Sequence, residues 1–193
     1  MLRLRTDRLV LRAWQESDLD PWAAMNADPE VRRYFPAVLT REESEASVAC
    51  FQADLERRGW GWWAVEVVAT GEFIGFAGLD PVEEDMPFTG VEAGWRLARP
   101  AWGHGYATEA ALAVVEYGFG DLGLTEILAV TTATNLRSQA VMRRIGMTYD
   151  PADDFDDLTV PEGPLRKNVV YRLRVGDRPR TASWTGQTGR AGG

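Results

Sequence analysis

The sequence predicts a mixed α/β fold, a mixed β-sheet with helices on its faces. Two observations carry this. Between residues 62 and 98 three strand-like runs follow one another, and Thr70-Gly71 between the first two is a hairpin signal. After residue 98 the order changes to helix, strand, helix, the pattern of a chain crossing over a sheet.

The elements follow in order. Arg8 to Trp14 alternates and is rich in β formers, so a strand is expected there. Ser17 is the expected helix cap, with Asp20 three residues on and Pro21 in the first turn. Leu19, Trp22, Ala23 and Asn26 recur at helical spacing until Asp28-Pro29 stops the run. Thr40 and Glu43 form a capping box. The helix they open carries Val48, Phe51 and Leu55 on one face and ends at Gly59. Strands are expected at Trp62–Val68, Phe73–Leu79 and Val91–Ala98, then helix 105–119 and strand 126–132. A helix from Asn135 to Ile145 stops at Gly146. Met147–Tyr149 and Asn168–Arg174 complete a count of seven strands.

At 193 residues the chain suits a single domain, 1–175, followed by a tail at 176–193 rich in Gly, Thr, Arg and Ser and expected to be disordered. Nothing in the sequence explains Trp184 within it. One cysteine, Cys50, rules out an intrachain disulfide, and one histidine, His104, argues against a His-based metal centre. No metal is expected. No run approaches the ~20 apolar residues of a membrane span, and the N-terminus lacks a signal-peptide core, so a cytoplasmic protein without a membrane partner is expected. The net charge of −8 disfavours nucleic-acid binding and suits a cationic substrate, or simply solubility.

Residues 92–146 hold the densest signal. Strand, Gly-rich turn, helix, strand and Asn-led helix follow in that order. Gly103 and Gly105 let the main chain approach a ligand closely. The helix after them offers unpartnered N–H groups and the positive end of its dipole, where an anion binds well. A plain structural turn is the alternative. A Walker loop is excluded, because no Gly-Lys-Ser/Thr follows. A dinucleotide fingerprint is poor, because Thr108 takes the third small-residue slot; a nicotinamide oxidoreductase is therefore disfavoured.

These segments resemble the GNAT acyl-CoA N-acyltransferases, most closely the RimJ/RimL-like branch. The likeness rests on Arg8-Leu9-Val10-Leu11-Arg12, Asp28-Pro29-Glu30-Val31 with Tyr34-Phe35, and Ile74-Gly75. It continues through Glu92-Ala93-Gly94-Trp95, Trp102 to Ala110, Asn135 with Ser138, and Ile145-Gly146-Met147. The resemblance implies the GNAT fold: a mostly antiparallel sheet of about seven strands and about four helices. In that fold two parallel neighbours splay apart to admit the pantetheine arm. Here they would be strands 91–98 and 126–132. It implies acetyl-CoA as co-substrate and a primary amine as acceptor, either a protein N-terminal α-amine or a small molecule. A homodimer is compatible with it.

The resemblance also implies roles. An amine attacks a thioester only when neutral, so the site needs a proton acceptor, an oxyanion donor and a proton for the thiolate. Glu92 is the expected base, with a structural carboxylate as the alternative. Alternation puts it on the face of Gly94, Arg96 and Ala98, unless a bulge in this strand reverses the parity. A backbone N–H near Leu97 is the expected oxyanion donor. Many members carry a Tyr seven residues after the Asn, but Met142 stands here. Ser138 is the expected substitute as acid; the alternative is a serine bonded to the preceding turn. Trp102 takes the usual Gln/Arg slot, so phosphate binding falls to the backbone of Gly103, His104, Gly105, Tyr106, Ala107 and Thr108. Asn135, Ser138 and Arg137 are further expected cofactor contacts, with Arg144 an alternative to Arg137 at the 3′-phosphate and a solvated basic face the other reading of both arginines. Tyr34 and Phe35, with Trp60 and Trp62, are candidates for the acceptor wall; Trp63 is read as core and Glu109 as structural. The acidic loop at 150–162 either draws in a cationic amine or is merely solvated. Met142 and Trp102 also keep open a second class, a catalytically degraded acyl-CoA-binding sensor or scaffold.

Overall fold

The computed structural model describes residues 3–84 and 86–177; most of the expected tail, with Trp184, lies outside the described residues. Nine strands form one sheet: β1 (Leu4–Arg5), β2 (Leu9–Arg12), β3 (Trp62–Val67), β4 (Glu72–Pro81), β5 (Val91–Leu97), β6 (Glu126–Thr132), β7 (Thr148–Tyr149), β8 (Phe155–Asp156) and β9 (Lys167–Arg174). The spatial order is β1-β2-β3-β4-β5-β6-β9-β7, with β8 also on β9. Every pair is antiparallel except β5–β6. The two strands beyond the expected seven, β1 and β8, are two residues each, too short to show a period. The α-helices are α1 (Leu19–Ala27), α2 (Arg41–Arg58), α3 (Tyr106–Gly120) and α4 (Leu136–Arg144).

The period of two in β3 decides the layering. Trp63 is 1% exposed and packs edge-on against Tyr117 of α3, at 5.5 Å between ring centroids. Its neighbour Trp62 points to the other face, 5.2 Å from Phe76. There Trp14, Trp22, Phe51 and Phe76 form a cluster of edge and tilted ring contacts beneath α1 and α2. So α3 covers one face of β2, β4 and β5, while α1 and α2 cover the other.

The α2 capping box forms as expected: Thr40 Oγ1 accepts from the Glu43 N–H, and Glu43 accepts from the Thr40 N–H at 2.7 Å. The start of α1 differs. Gln15, not Ser17, opens a 3-10 turn over Glu16–Asp18, in a reciprocal box with Asp18. Asp18 is drawn inward by Arg12, which donates two hydrogen bonds to it at 2.7 and 2.9 Å and a third to Glu66. Paired charge-assisted bonds outweigh one hydroxyl cap.

No bulge interrupts β5, whose register against β4 runs unbroken from Gly75↔Leu97 to Pro81↔Val91. The irregularity sits between β3 and β4, where Val65↔Gly75 is followed by Glu66↔Phe73 and Ile74 is skipped. Gly75 absorbs it with φ +138°, and a Cβ there would lie 2.1 Å from the Arg96 carbonyl oxygen. Only glycine fits. Gly75→Ala is expected to destabilise the fold by about 2 kcal/mol or more, read from denaturant midpoints. A loss below about 0.5 kcal/mol would contradict this account of the irregularity.

Candidate active site

The site is built on a gap in the sheet. β5 and β6 share a single parallel rung, Glu92↔Leu128, and then part. Two bonds set the phase of the β4–β5 ladder: Ala98 N–H to Ile74 O at 2.9 Å and Val82 N–H to Gly90 O at 3.0 Å. Antiparallel ladders alternate, so Glu92, Gly94 and Arg96 bond β4 while the N–H groups of Trp95 and Leu97 point towards β6. Two bonds likewise phase β6 against β9, Ala133 N–H to Lys167 O and Val175 N–H to Thr125 O. They leave the main chain of Val130 and Thr132 facing the same gap. The Leu97 carbonyl is taken by Trp102, whose Nε1 donates to it at 2.8 Å.

The Gly-rich turn closes one end of the gap. Gly105 caps α3 in the left-handed region at φ +80°, and Gly103 lies there too at +82°. The first intrahelical bond comes from Glu109 N–H to Gly105 O, so the N–H groups of Tyr106, Ala107 and Thr108 stand free of the helix ladder. These three free donors and the positive dipole end suit an anion. The His104 ring stacks on Tyr106 at 5.6 Å.

Arg8 joins this turn, a position that sequence reasoning missed. Its Nη1 donates to the His104 carbonyl at 3.0 Å, and its guanidinium lies 4.8 Å from the Tyr106 ring centre. It pairs with Glu109, which also accepts from Thr6 Oγ1 at 2.6 Å and the Arg8 N–H at 3.0 Å. Burial opposes ionisation of Glu109, but these donors outweigh it and hold its carboxyl below the usual range. Glu109 thus ties the N-terminal strands to α3, the structural role expected of it. Arg8 is half-exposed beside the loop, and it comes from β2's entry, 94 positions before Trp102.

On the far side of the gap, Asn135 caps α4: its Oδ1 accepts from Ser138 N–H at 3.2 Å and its Nδ2 donates to Thr131 Oγ1 at 2.9 Å. Ser138 is half-buried in the first turn, on the face of the buried Val141, Met142 and Ile145. Its hydroxyl makes no hydrogen bond to a described residue, so it is not spent on the preceding turn. Arg137 stacks over Trp102 at 4.6 Å, linking α4 to the strand end. Arg144 is exposed.

Glu92 lies where β5 and β6 are still joined, half-buried on the α1/α2 face. Burial, with the carboxylates of Asp80 and Glu83, raises its pKa to about 7. Asp80 is its direct cross-strand partner in β4 and is ion-paired with Arg58. The Trp62 ring lies over Gly94, where a Cβ would come within 2.9 Å of it. Phe35 and Arg96 meet on this same face, with the guanidinium 4.2 Å from the ring centre. Tyr34 contacts Arg33 instead. Trp60 is stacked by Arg58. Much of the acidic loop is spent on itself and on β9: Asp153 pairs with Arg172, Asp154 with Lys167, and Asp150 and Asp157 cap their own turns. Among the described residues no cluster of His, Cys, Asp or Glu could hold a metal, and no helix is long and apolar enough to cross a membrane.

Asp80, Arg96 and Arg32 were not singled out from sequence. Arg96 was visible through its shared parity with Glu92; Asp80 needed the β4–β5 register.

A family model described as an acetyltransferase (GNAT) domain matches residues 8–148. The chain is 32% identical over 148 residues to the uncharacterised protein YkkB of Bacillus subtilis, covering 76% of this chain and 86% of that one. An acetyltransferase structure from Agrobacterium tumefaciens is 29% identical, with a TM-score of 0.73 over 90% of this chain and 95% of that one. In fold alone, at 17% identity and a TM-score of 0.71, it is similar to RimL, a ribosomal L7/L12 α-N-protein acetyltransferase solved with coenzyme A; the match covers 90% and 98% of the two chains. With the parted β5–β6 pair and the Gly-rich turn beside it, these likenesses show that the chain belongs to the GNAT family and is an acetyl-CoA-dependent N-acetyltransferase.

Proposed function

We propose that the acceptor is a primary amine, a protein N-terminal α-amine or a small molecule, and that it attacks the acetyl thioester directly within a ternary complex, with Glu92 as the base. The observation that carries this is the position of Glu92: a half-buried carboxylate with a pKa near 7, beside the gap, on a strand with two outward N–H groups. A base poised near the working pH serves proton removal best.

The turn from Gly103 to Thr108 holds the pyrophosphate on its free N–H groups, aided by Arg8. Trp95 and Leu97 N–H groups receive the arm and the thioester oxygen in the gap. Trp102, packed between the Leu97 carbonyl and Arg137, keeps that strand end in place. Glu92 takes the proton as the C–N bond forms and the C–S bond breaks. Ser138 offers its unengaged hydroxyl to the departing sulfur; a thiol of pKa ~8.5 leaves with little help, so its share is small. Asn135 stays the cap that positions Ser138.

Glu92 works as a base only when ionised. The acidic limb of kcat/KM is therefore expected to rise with pH through about 7 and level off above it. Glu92→Gln is expected to remove that limb and lower kcat by about 10²-fold or more while acetyl-CoA affinity holds. A variant with full turnover, or a wild type with no turnover on any amine, would contradict the assignment.

Stability supplies a second test. A carboxyl with a raised folded-state pKa contributes stability below its unfolded value near 4.5 and loses it as pH rises through about 7. The Tm of Glu92→Gln relative to wild type is expected to increase between pH 4.5 and 7.5. A difference that stays flat with pH would mean that Glu92 is not held in a depleted, charge-averse site.

A further inference from the structure

Arginines in this chain are mostly paired. Arg12, the most buried of those in ion pairs, answers to both Asp18 and Glu66. Arg8, Arg58, Arg172 and Arg174 each reach a carboxylate. Arg96 and Arg32 do not, although the chain carries a net charge of −8. No carboxylate among the described residues comes within 4.0 Å of either guanidinium.

Arg96 projects from β5 on the face of Glu92 and Gly94. Aromatic rings surround it: Phe35 at 4.2 Å, Phe76 at 5.3 Å and Trp22 at 5.6 Å from the guanidinium carbon. Its single hydrogen bond is from Nη1 to the Asn26 side-chain oxygen at 3.1 Å. Its Nε is buried without a partner, and Nη2 bonds no described residue. Arg32 stacks on the same Phe35 ring at 4.4 Å and spends its Nε on the Ala37 carbonyl at 2.8 Å. Its two terminal nitrogens bond no described residue and are not sealed from solvent.

A charge drawn in among rings with no counter-ion is costly, and cation–π contact offsets only part of that. Two such cations against one ring also repel each other. Burial and Arg32 lower the Arg96 pKa to about 9, which leaves it charged at neutral pH. Violations of this kind are expected where a ligand supplies what the protein withholds. The missing group is an anion, placed on the same face of β5 as Glu92.

We propose that Arg96, with Arg32, reads a carboxylate on the acceptor, so that the substrate is a small amine bearing a carboxylate, in the manner of an amino acid. This rests on the acetyl-transfer reading of the same site. Glu92 and Arg96 lie four residues apart on one strand face, ~13 Å between Cα atoms before their side chains close the span. Amine and carboxylate of an amino acid sit on one carbon, so the long Arg96 side chain reaches along the strand to the carboxylate while Glu92 meets the amine directly or through one water. Gly94 lies between them with the Trp62 ring packed directly on it, so a ligand spanning the two passes along the edge of that ring. The planar forks of two arginines suit a carboxylate. A phosphate dianion would meet more repulsion from Asp80, Glu83 and Glu92 on one side and Glu43 near Arg32 on the other.

The test uses matched amines: free leucine and phenylalanine, their carboxamides, their decarboxylated amines, O-phosphoethanolamine, and a dipeptide amide. Acetyl transfer is followed by thiol release. Binding to the protein saturated with coenzyme A is followed by calorimetry. Wild type is expected to favour the amino acids over their carboxamides by tenfold or more in kcat/KM. Arg96→Met, which keeps the bulk within the rings, is expected to abolish that preference and leave the carboxamides and acetyl-CoA affinity within about twofold. Arg96→Lys, which keeps charge but not the fork, should fall between. Equal or better use of carboxamides, the decarboxylated amines, O-phosphoethanolamine or the dipeptide amide by wild type would overturn the inference and leave acetyl transfer intact. Amino acids that bind in an Arg96-dependent way without being acetylated would keep it and sink the acetyl-transfer reading. Neither binding nor transfer of any carboxylate-bearing amine would overturn it outright.

Discussion

The structure depends on the parting of β5 from β6 after one shared rung. Backbone N–H and C=O groups inside a sheet are normally paired, and a strand that loses its neighbour exposes them to whatever fits. Here the parting exposes the N–H groups of Trp95 and Leu97 on one lip and the main chain of Val130 on the other, where the Thr132 carbonyl is taken by the Asn135 N–H. The protein closes part of the gap itself, through the Trp102 indole on the Leu97 carbonyl. What it leaves open is a row of donors suited to a thin ligand carrying carbonyl oxygens.

The rest of the fold holds that gap at a set width and places chemistry beside it. Gly75 lets β4 take up a skipped residue so that β5 runs on without a bulge. The Glu109 cluster clamps β2's entry to α3 and puts Arg8 against the Gly-rich turn. The aromatic layer under α1 and α2 surrounds one face of β5 with rings, and into it project the two groups of opposite sign, Glu92 and Arg96. Both are shifted by burial, in opposite senses: the carboxyl upwards and the guanidinium downwards. Each is left wanting a partner, and the two lie on the strand that borders the gap.

Much of this was legible in the chain itself. Strong local signals held: the Thr40–Glu43 box, strand 126–132, the Asn135 cap and the glycines at 103 and 105. Where a buried charge pair competed, the reading of a single cap failed, as when Arg12 drew Asp18 inward and displaced the cap from Ser17. The parity of Glu92 was readable, but not its neighbours. Asp80 stands beside it only because of the β4–β5 register, and Arg8 reaches His104 across 96 positions. Arg96 was in view as one letter of an alternating strand. Its lack of a counter-ion is a property of the packed molecule, because charge pairing is decided by elements far apart in sequence.

Amide hydrogen exchange tests the parted strands most directly. In the free protein the amides of Trp95 and Leu97 should exchange much faster than those of Gly94 and Arg96, which bond β4. Addition of coenzyme A should slow Trp95 and Leu97 selectively. If those two amides are already protected, or if coenzyme A leaves them unchanged while binding elsewhere, the gap is not the ligand's path and the account of the site fails.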